Sequence, residues 1–259
     1  MFVTERTGHA CELARAAVAR GARLVIAWGG DGTINDVASA LAFGDQAAMG
    51  IIPAGSGNGL ARALGIDVRP ERALTDALTA APRRIDVGEL GGRLFVNVAG
   101  VGFDAHVAAR FNAPDNRIRG LGGYALLTAR GLMSYSPQRY EITSAGRTRS
   151  VSALFVAVAN GTEFGNQIRI APDSLLDDGA LDLVVVEERS RLTTLWNMRR
   201  LLTKSIERAP IWSCERVSEA TIESDAPMTF HIDGEPVLGG TRLHVKTHAG
   251  ALRVCVRPD

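Results

Sequence analysis

Residues 29–36 read Gly-Gly-Asp-Gly-Thr-Ile-Asn-Asp, directly after the apolar run Leu24-Val25-Ile26-Ala27-Trp28 and before the helix-like Val37-Ala38-Ser39-Ala40-Leu41. A strand that ends in Gly-Gly-Asp-Gly and turns into a helix leaves several backbone N–H groups unpaired at one point. Glycines let the backbone approach a ligand closely, and a helix N-terminus adds positive potential, so the turn suits phosphate. Asp31 supplies a carboxylate for a metal ion or for orienting a hydroxyl. The pattern fits phosphoryl transfer, yet it is neither the P-loop nor the dinucleotide-binding glycine motif. A second glycine turn, Gly55-Ser56-Gly57-Asn58-Gly59, follows the apolar run Met49–Pro53. Two Asp-Gly turns, Asp177-Asp178-Gly179 and Asp233-Gly234-Glu235, lie further along the chain.

These residues need elements to position them. Up to residue 86 the chain alternates strand and helix signals: a short strand at Phe2–Thr4, a helix at Cys11–Ala19, a strand at Leu24–Trp28, a helix over about 33–42, and a strand at Met49–Pro53. A helix opens at Leu60, and another covers Glu71–Ala80 before Pro82. Such alternation predicts a doubly wound, three-layer α/β domain with a parallel sheet, and both glycine turns then fall at carboxyl ends of strands on one edge. From Arg84 the texture changes. Ile85–Glu89 and Leu94–Val98 flank Gly91-Gly92, a hairpin signal. Helices are expected near Ala105–Phe111, Tyr124–Met133 and Leu192–Glu207. Strands are expected at Arg139–Thr143, Val151–Ala159, Leu181–Glu187, Ala220–Glu223, Met228–Ile232, Leu243–Thr247 and Leu252–Val256. This predicts α/β plus β: a nucleotide-binding domain over 1–86, a mainly antiparallel β-sandwich domain over 87–248, and a C-terminal strand in 249–259 that could return to the first domain.

Composition narrows the class. The 259 residues are 46% apolar and 22% charged with a net charge of +1, so nothing overall points to nucleic acid. Arg far outnumbers Lys, whose only copies are Lys204 and Lys246. Three scattered cysteines, Cys11, Cys214 and Cys255, lack metal-ligand spacing and read as reduced thiols. The five histidines share no spacing that would make a zinc site. No apolar run reaches 18 residues and the start lacks a signal-peptide core, so a cytoplasmic address is expected.

Four motifs in order carry a resemblance: Gly29-Gly30-Asp31-Gly32-Thr33, Pro53-Ala54-Gly55-Ser56-Gly57-Asn58, Asp177-Asp178-Gly179-Ala180-Leu181-Asp182, and Asp233-Gly234-Glu235-Pro236. The chain resembles the diacylglycerol kinase catalytic family, which holds bacterial lipid kinases and eukaryotic sphingosine and ceramide kinases. The resemblance implies an ATP site at Gly29, Gly30, Asp31, Gly32, Thr33, Ile34 and Asn35, with Thr4 and Ser56 as further nucleotide contacts. It implies a Mg2+ site built from the Asp178 carboxylate with the backbone carbonyls of Leu175 and Ala180, hard oxygen ligands that suit magnesium. Glu235 is the residue we assign as general base toward a lipid hydroxyl, with Asp31 the competing candidate. Asn97, Gly100–Asp104 and Asn160-Gly161 also match the family and are expected to shape the domain junction or a turn.

The stretch Arg189–Arg208 is the most basic of the chain, and its Leu192, Leu195, Trp196, Leu202 and Ile206 share one side of a helix. Such a helix suits either ordinary packing with a solvated basic face or peripheral contact with an anionic membrane, the inner face included. Oligomeric state stays open, a homodimer included. Family members begin with another strand and an Asn-Pro-x-Ser-Gly turn, whereas this sequence opens at what looks like the second strand; either the start is set too late or the product is impaired, and an edge is left exposed. The reading is therefore an ATP- and Mg2+-dependent lipid kinase acting on diacylglycerol, phosphatidylglycerol or a sphingosine-like lipid. An NAD kinase-like enzyme and a truncated, non-catalytic lipid- or nucleotide-binding protein are the alternatives.

Overall fold

The computed structural model describes residues 1–112, 131, 135–164, 168–189, 193, 196, 197, 200 and 205–257. The helix expected at Tyr124–Met133 and most of the one at Leu192–Glu207 lie outside them.

The first lobe contains α1 (His9–Ala19), β1 (Leu24–Gly29), α2 (Asp31–Leu41), β2 (Ala48–Pro53), α3 (Gly59–Ala63) and α4 (Pro70–Thr79). β2 is buried along its whole length, as expected for a parallel strand covered on both faces. Its alternation divides the layers. Met49 and Ile51 pack into the core beneath α1 and α2, with Ile34, Val37, Ala38 and Leu41. Gly50 faces α4, where an added Cβ would stand 2.7 Å from the Cβ of Ala77. β1 pairs in parallel with β2 and with no other described strand, so it forms a sheet edge. Phe2–Thr4, expected as a strand, is an exposed segment that pairs with no described strand, although it lies beside the free edge of β1.

The second lobe contains β3 (Pro82–Leu90), β4 (Arg93–Phe95), β5 (Val98–Gly102), α5 (Phe103–Asn112), β6 (Gln138–Ser144), β7 (Arg147–Ala159), β8 (Leu181–Glu187), β9 (Trp212–Val217), β10 (Glu219–Ser224), β11 (Thr229–Ile232), β12 (Glu235–Leu238) and β13 (Arg242–Cys255). The two lobes are a mixed α/β domain and a β-sandwich domain. Alternation along β7 shows the sandwich directly: Val156 and Val158 point into the core between sheets, with Tyr140, Ile142, Leu183 and Phe230. Phe155, Ala157 and Ala159 point outward beneath α5 and the segments around Ile170 and Ile211.

The structure differs from the sequence reading at three places. The expected strand Leu94–Val98 is split between β4 and β5, because the N–H groups of Val96, Asn97 and Val98 all donate to the Asp233 carboxylate at 2.9–3.0 Å instead of to a ladder. The expected strands Leu243–Thr247 and Leu252–Val256 are one strand, β13, whose register against β3 shifts between His248 and Leu252 around Gly250 at φ 59°. β13 pairs with β10 at its start and runs parallel to β2 at Val254, so it crosses both lobes. Near 205 the expected α-helical end is a single 3-10 turn, Ile206–Arg208.

Candidate active site

The two glycine turns sit face to face. Gly29–Gly30 ends β1 and Asp31 begins α2; Gly55–Asn58 links β2 to α3. A Cβ on Gly55 would lie 2.6 Å from the Cα of Gly30, so the backbones touch and Gly55 tolerates no side chain in place. Asn58, held at φ 54°, braces its own loop by donating from Nδ2 to the Gly55 carbonyl and accepting from the Gly55 N–H, both at 2.8 Å. Asp31 then ties the turns together. Its Oδ2 accepts from the Asn58 N–H at 2.9 Å and its Oδ1 from the Gly59 N–H at 2.7 Å. Burial raises the Asp31 pKa, opposed by these amide donors. A carboxylate engaged by two amides is a fastener between turns, and this weakens Asp31 as a proton acceptor.

The β-sandwich supplies the opposite wall through the β11–β12 hairpin. Its turn, Asp233-Gly234, has φ 47° and 89°, both positive, as a two-residue hairpin turn requires. Asp233 accepts from three backbone N–H groups of residues 96–98 and, at 2.8 Å, from Asn35 Nδ2. Asn35 also donates to the Leu94 carbonyl at 3.0 Å. The hairpin is thereby fixed to α2, and Glu235, the next residue, reaches over the start of α2. A Cβ on Gly32 would collide with Glu235 Oε1, so the glycine makes room for that carboxylate. Desolvation raises the Glu235 pKa, with a smaller push from the negative charges of Asp36 and Asp233.

Between these walls lies a cleft of about 460 Å3, the size of a small-molecule site. Gly30, Gly32, Gly55, Ser56 and Gly57 line one side, and Asp104, His231, Asp233 and Glu235 the other, with Val98, Ala108, Phe164 and Ile168 forming an apolar flank. No Lys or Arg is among the described residues that line it. Among the described lining residues, the groups suited to meet phosphate charge are main-chain N–H groups of the glycine turns.

Not every expected residue faces this cleft. Ile34 is fully buried in the core and the Asn35 amide is committed to the lobe junction, so neither side chain is available to a nucleotide. Thr4 and Thr33 line a second, more apolar depression beside β1, with Trp28 and Val37; the Thr33 side chain packs where a Cβ on Gly29 would stand, at 2.7 Å. Thr7 reaches the cleft instead of Thr4. The Asp177–Ala180 turn is away from the cleft lining. Its Asp178 is paired with the Arg216 guanidinium and accepts from the Ala180 N–H at 3.1 Å, and the Leu175 side chain is exposed. A divalent ion between Leu175, Asp178 and Ala180 would compete with Arg216 for the Asp178 carboxylate. Among the described residues no group of three or more His, Cys, Asp or Glu is placed to hold a metal. The sequence places Asp104 only in the Gly-Val-Gly-Phe-Asp run at the domain junction and does not single out His231 or Phe164; the His two residues before Asp233 is the available signal.

A glycine-lined cleft on an α/β lobe, faced by a carboxylate from a β-sandwich, is an arrangement that suits a kinase. The model of the diacylglycerol kinase catalytic domain matches residues 1–90, and that of the YegS C-terminal NAD kinase beta sandwich-like domain matches residues 97–256. "Probable lipid kinase YegS-like" of Chromohalobacter salexigens is 35% identical over 241 residues, 90% of this chain and 76% of that protein. The protein of the same name from Pseudomonas aeruginosa is 34% identical over 260 residues, 97% and 82% of the two chains. A crystal structure of a diacylglycerol kinase from Bacillus anthracis shares the fold, with a TM-score of 0.75 at 20% identity over 98% of this chain and 84% of that one. The chain belongs to the diacylglycerol kinase catalytic family, among the YegS-like lipid kinases, and is an enzyme of the kinase class. Among the described residues no helix is long and apolar enough to cross a membrane.

Proposed function

We propose that the protein transfers the γ-phosphate of ATP to a hydroxyl of a membrane lipid. The observation that carries this reading is the Glu235 carboxylate held over Gly32, at the start of α2 and opposite the Ser56 turn. A Mg2+–ATP complex would be held through its phosphates by backbone N–H groups of Gly30–Gly32 and Gly55–Gly57, with the Ser56 hydroxyl as a further donor. The nucleoside end extends toward Thr4 and Thr33. The lipid hydroxyl enters from the side of Phe164, Ile168 and Ala108, where apolar surface suits the first carbons of an acyl chain. Glu235 takes the hydroxyl proton as its oxygen bonds to the γ-phosphorus, and the bond to the bridging oxygen breaks to release ADP. A raised Glu235 pKa brings its basicity closer to the working pH.

The peripheral membrane contact is part of the same proposal. It is supported by the basic run from Arg189 to Arg208 and by Trp196, which is 61% exposed. The test is radiolabelled ATP with Mg2+ and mixed micelles carrying dioleoylglycerol, phosphatidylglycerol, sphingosine or ceramide, beside soluble NAD. A labelled lipid in at least one micelle is expected. Label on NAD alone would replace the lipid reading by the NAD kinase reading, and no product would leave a binding protein.

A further inference from the structure

A second group of polar residues lines the cleft without a part in the transfer. His231 and Asp104 are both buried, at 3% and 6% exposure, and His231 Nε2 lies 3.2 Å from Asp104 Oδ2. On the other side of the ring, the Gly234 N–H donates to His231 Nδ1 at 3.3 Å. Gly234 is the second residue of the hairpin turn, next to Glu235. The chain Asp104–His231–Gly234 therefore runs from the first turn of α5, through β11, into the backbone that aims the catalytic carboxylate.

The surroundings are built for this pair. His231 stands opposite Gly100 in the β5–β11 register, and a Cβ on Gly100 would collide with Asp104 Oδ2. The missing side chain leaves the space that the Asp104 carboxylate fills from α5. Asp104 Oδ1 accepts from the Ala105 N–H at 2.7 Å, which sets its rotation. The Phe164 ring lies 5.9 Å from the imidazole, centre to centre, tilted at 58°, and both line the cleft. One tautomer satisfies both contacts. Because Nδ1 accepts from an N–H, the ring proton must sit on Nε2, where it is donated to the carboxylate.

We propose that His231, oriented by Asp104, is a positioning residue that holds the Asp233-Gly234-Glu235 turn so that Glu235 meets the acceptor hydroxyl. The inference rests on Glu235 as base. Gly100 and Asp104 fall in the Gly-Val-Gly-Phe-Asp run for that reason: one leaves space and the other fills it.

The test combines kinetics with an activity-independent signal, using ATP, Mg2+ and whichever acceptor in the micelle panel the wild-type protein phosphorylates. Asn at position 231 presents an acceptor near the place of Nδ1, whereas Gln reaches toward the place of Nε2. His231→Gln is expected to lower kcat about tenfold or more with the KM for ATP unchanged, and His231→Asn to restore most of it. In a double-mutant cycle, His231→Gln should add no further loss to Glu235→Gln, since both act on one proton transfer. Nitrogen NMR of the labelled wild-type protein should show His231 protonated at Nε2 and not at Nδ1. Additive losses in the cycle, or an Nδ1-protonated ring, would overturn the proposal. Full turnover by Glu235→Gln would instead remove the base assignment itself, while the NMR result would still decide the hydrogen-bond chain.

Discussion

The two walls of the cleft are made on opposite principles. On the α/β side the ligand-facing groups are mainly backbone, joined by the Ser56 and Thr7 hydroxyls, and three polar side chains are spent internally: Asp31 on two amides, Asn58 on its own loop, Asn35 on the lobe junction. On the β-sandwich side the cleft is lined by side chains, Asp104, His231, Asp233 and Glu235, three of them in or beside one hairpin turn. The difference separates binding from chemistry. Main-chain donors held by a rigid scaffold suit a phosphate chain that must only be cradled, whereas a proton must be taken by a side chain of adjustable pKa. It also separates two carboxylates that look equivalent in sequence. Asp31 and Glu235 both have raised pKa values, but only Asp31 has its oxygens engaged by amides of the opposite turn.

Gly32→Ala attacks the contact between the walls and, apart from removal of the Glu235 carboxylate itself, should have the largest effect. The new methyl enters the place of Glu235 Oε1, a flexible side-chain end that can swing away. Turnover should fall by about a hundredfold or more, as expected when a general base is displaced. The fold should stay or gain slightly, because Ala is favoured over Gly in a helix by about 1 kcal/mol. A matched kcat and melting-temperature measurement checks this; equal losses in both would mean that Gly32 is only structural.

Asp31→Asn separates fastening from catalysis. An amide turns one of the two acceptors into a donor facing an N–H, so stability should drop by about 1–3 kcal/mol, the range for an unsatisfied buried group. Chemical denaturation measures the drop, and turnover should fall with it as the two turns part. Near-normal stability with lost turnover would return Asp31 to the role of base.

The smallest effect concerns the Asp178 turn. With Arg216 paired to Asp178, added Mg2+ should shift the wild-type melting temperature little in the absence of nucleotide. In Arg216→Ala the freed carboxylate should make the protein measurably more stable with Mg2+ than without. A large Mg2+ shift in the wild type would show that the guanidinium is readily displaced.

Much of this arrangement was legible from the chain. The Gly-Gly-Asp-Gly and Gly-Ser-Gly-Asn turns declare themselves because backbone contact excludes side chains, and glycine records that exclusion directly. The Asp-Gly hairpin signals its positive φ angles in the same way. What stayed hidden is long-range. Asn35 and Asp233 are 198 positions apart in numbering, and nothing local says that they bond. The split of Leu94–Val98 into two strands follows from a carboxylate more than a hundred residues away, and β12 was missed because Pro236 reads against a strand unless the strand is paired on one side only. His231 reads in sequence only as one of five histidines without shared spacing, since Asp104 comes to it through the packing of α5 on β5 and β11. Arg216 likewise shows no local sign of its pairing with Asp178.

The pH dependence of phosphoryl transfer with and without Glu235 tests the central claim most directly. Glu235 must be ionised to accept a proton, so kcat/KM should rise with pH through its pKa, and burial should place that limb above the usual glutamate value of about 4.3. Glu235→Gln should lose about two to four orders of magnitude in kcat, keep its affinity for ATP, and no longer show the limb. Near-normal turnover with the limb intact would contradict the account and place the base elsewhere in the cleft.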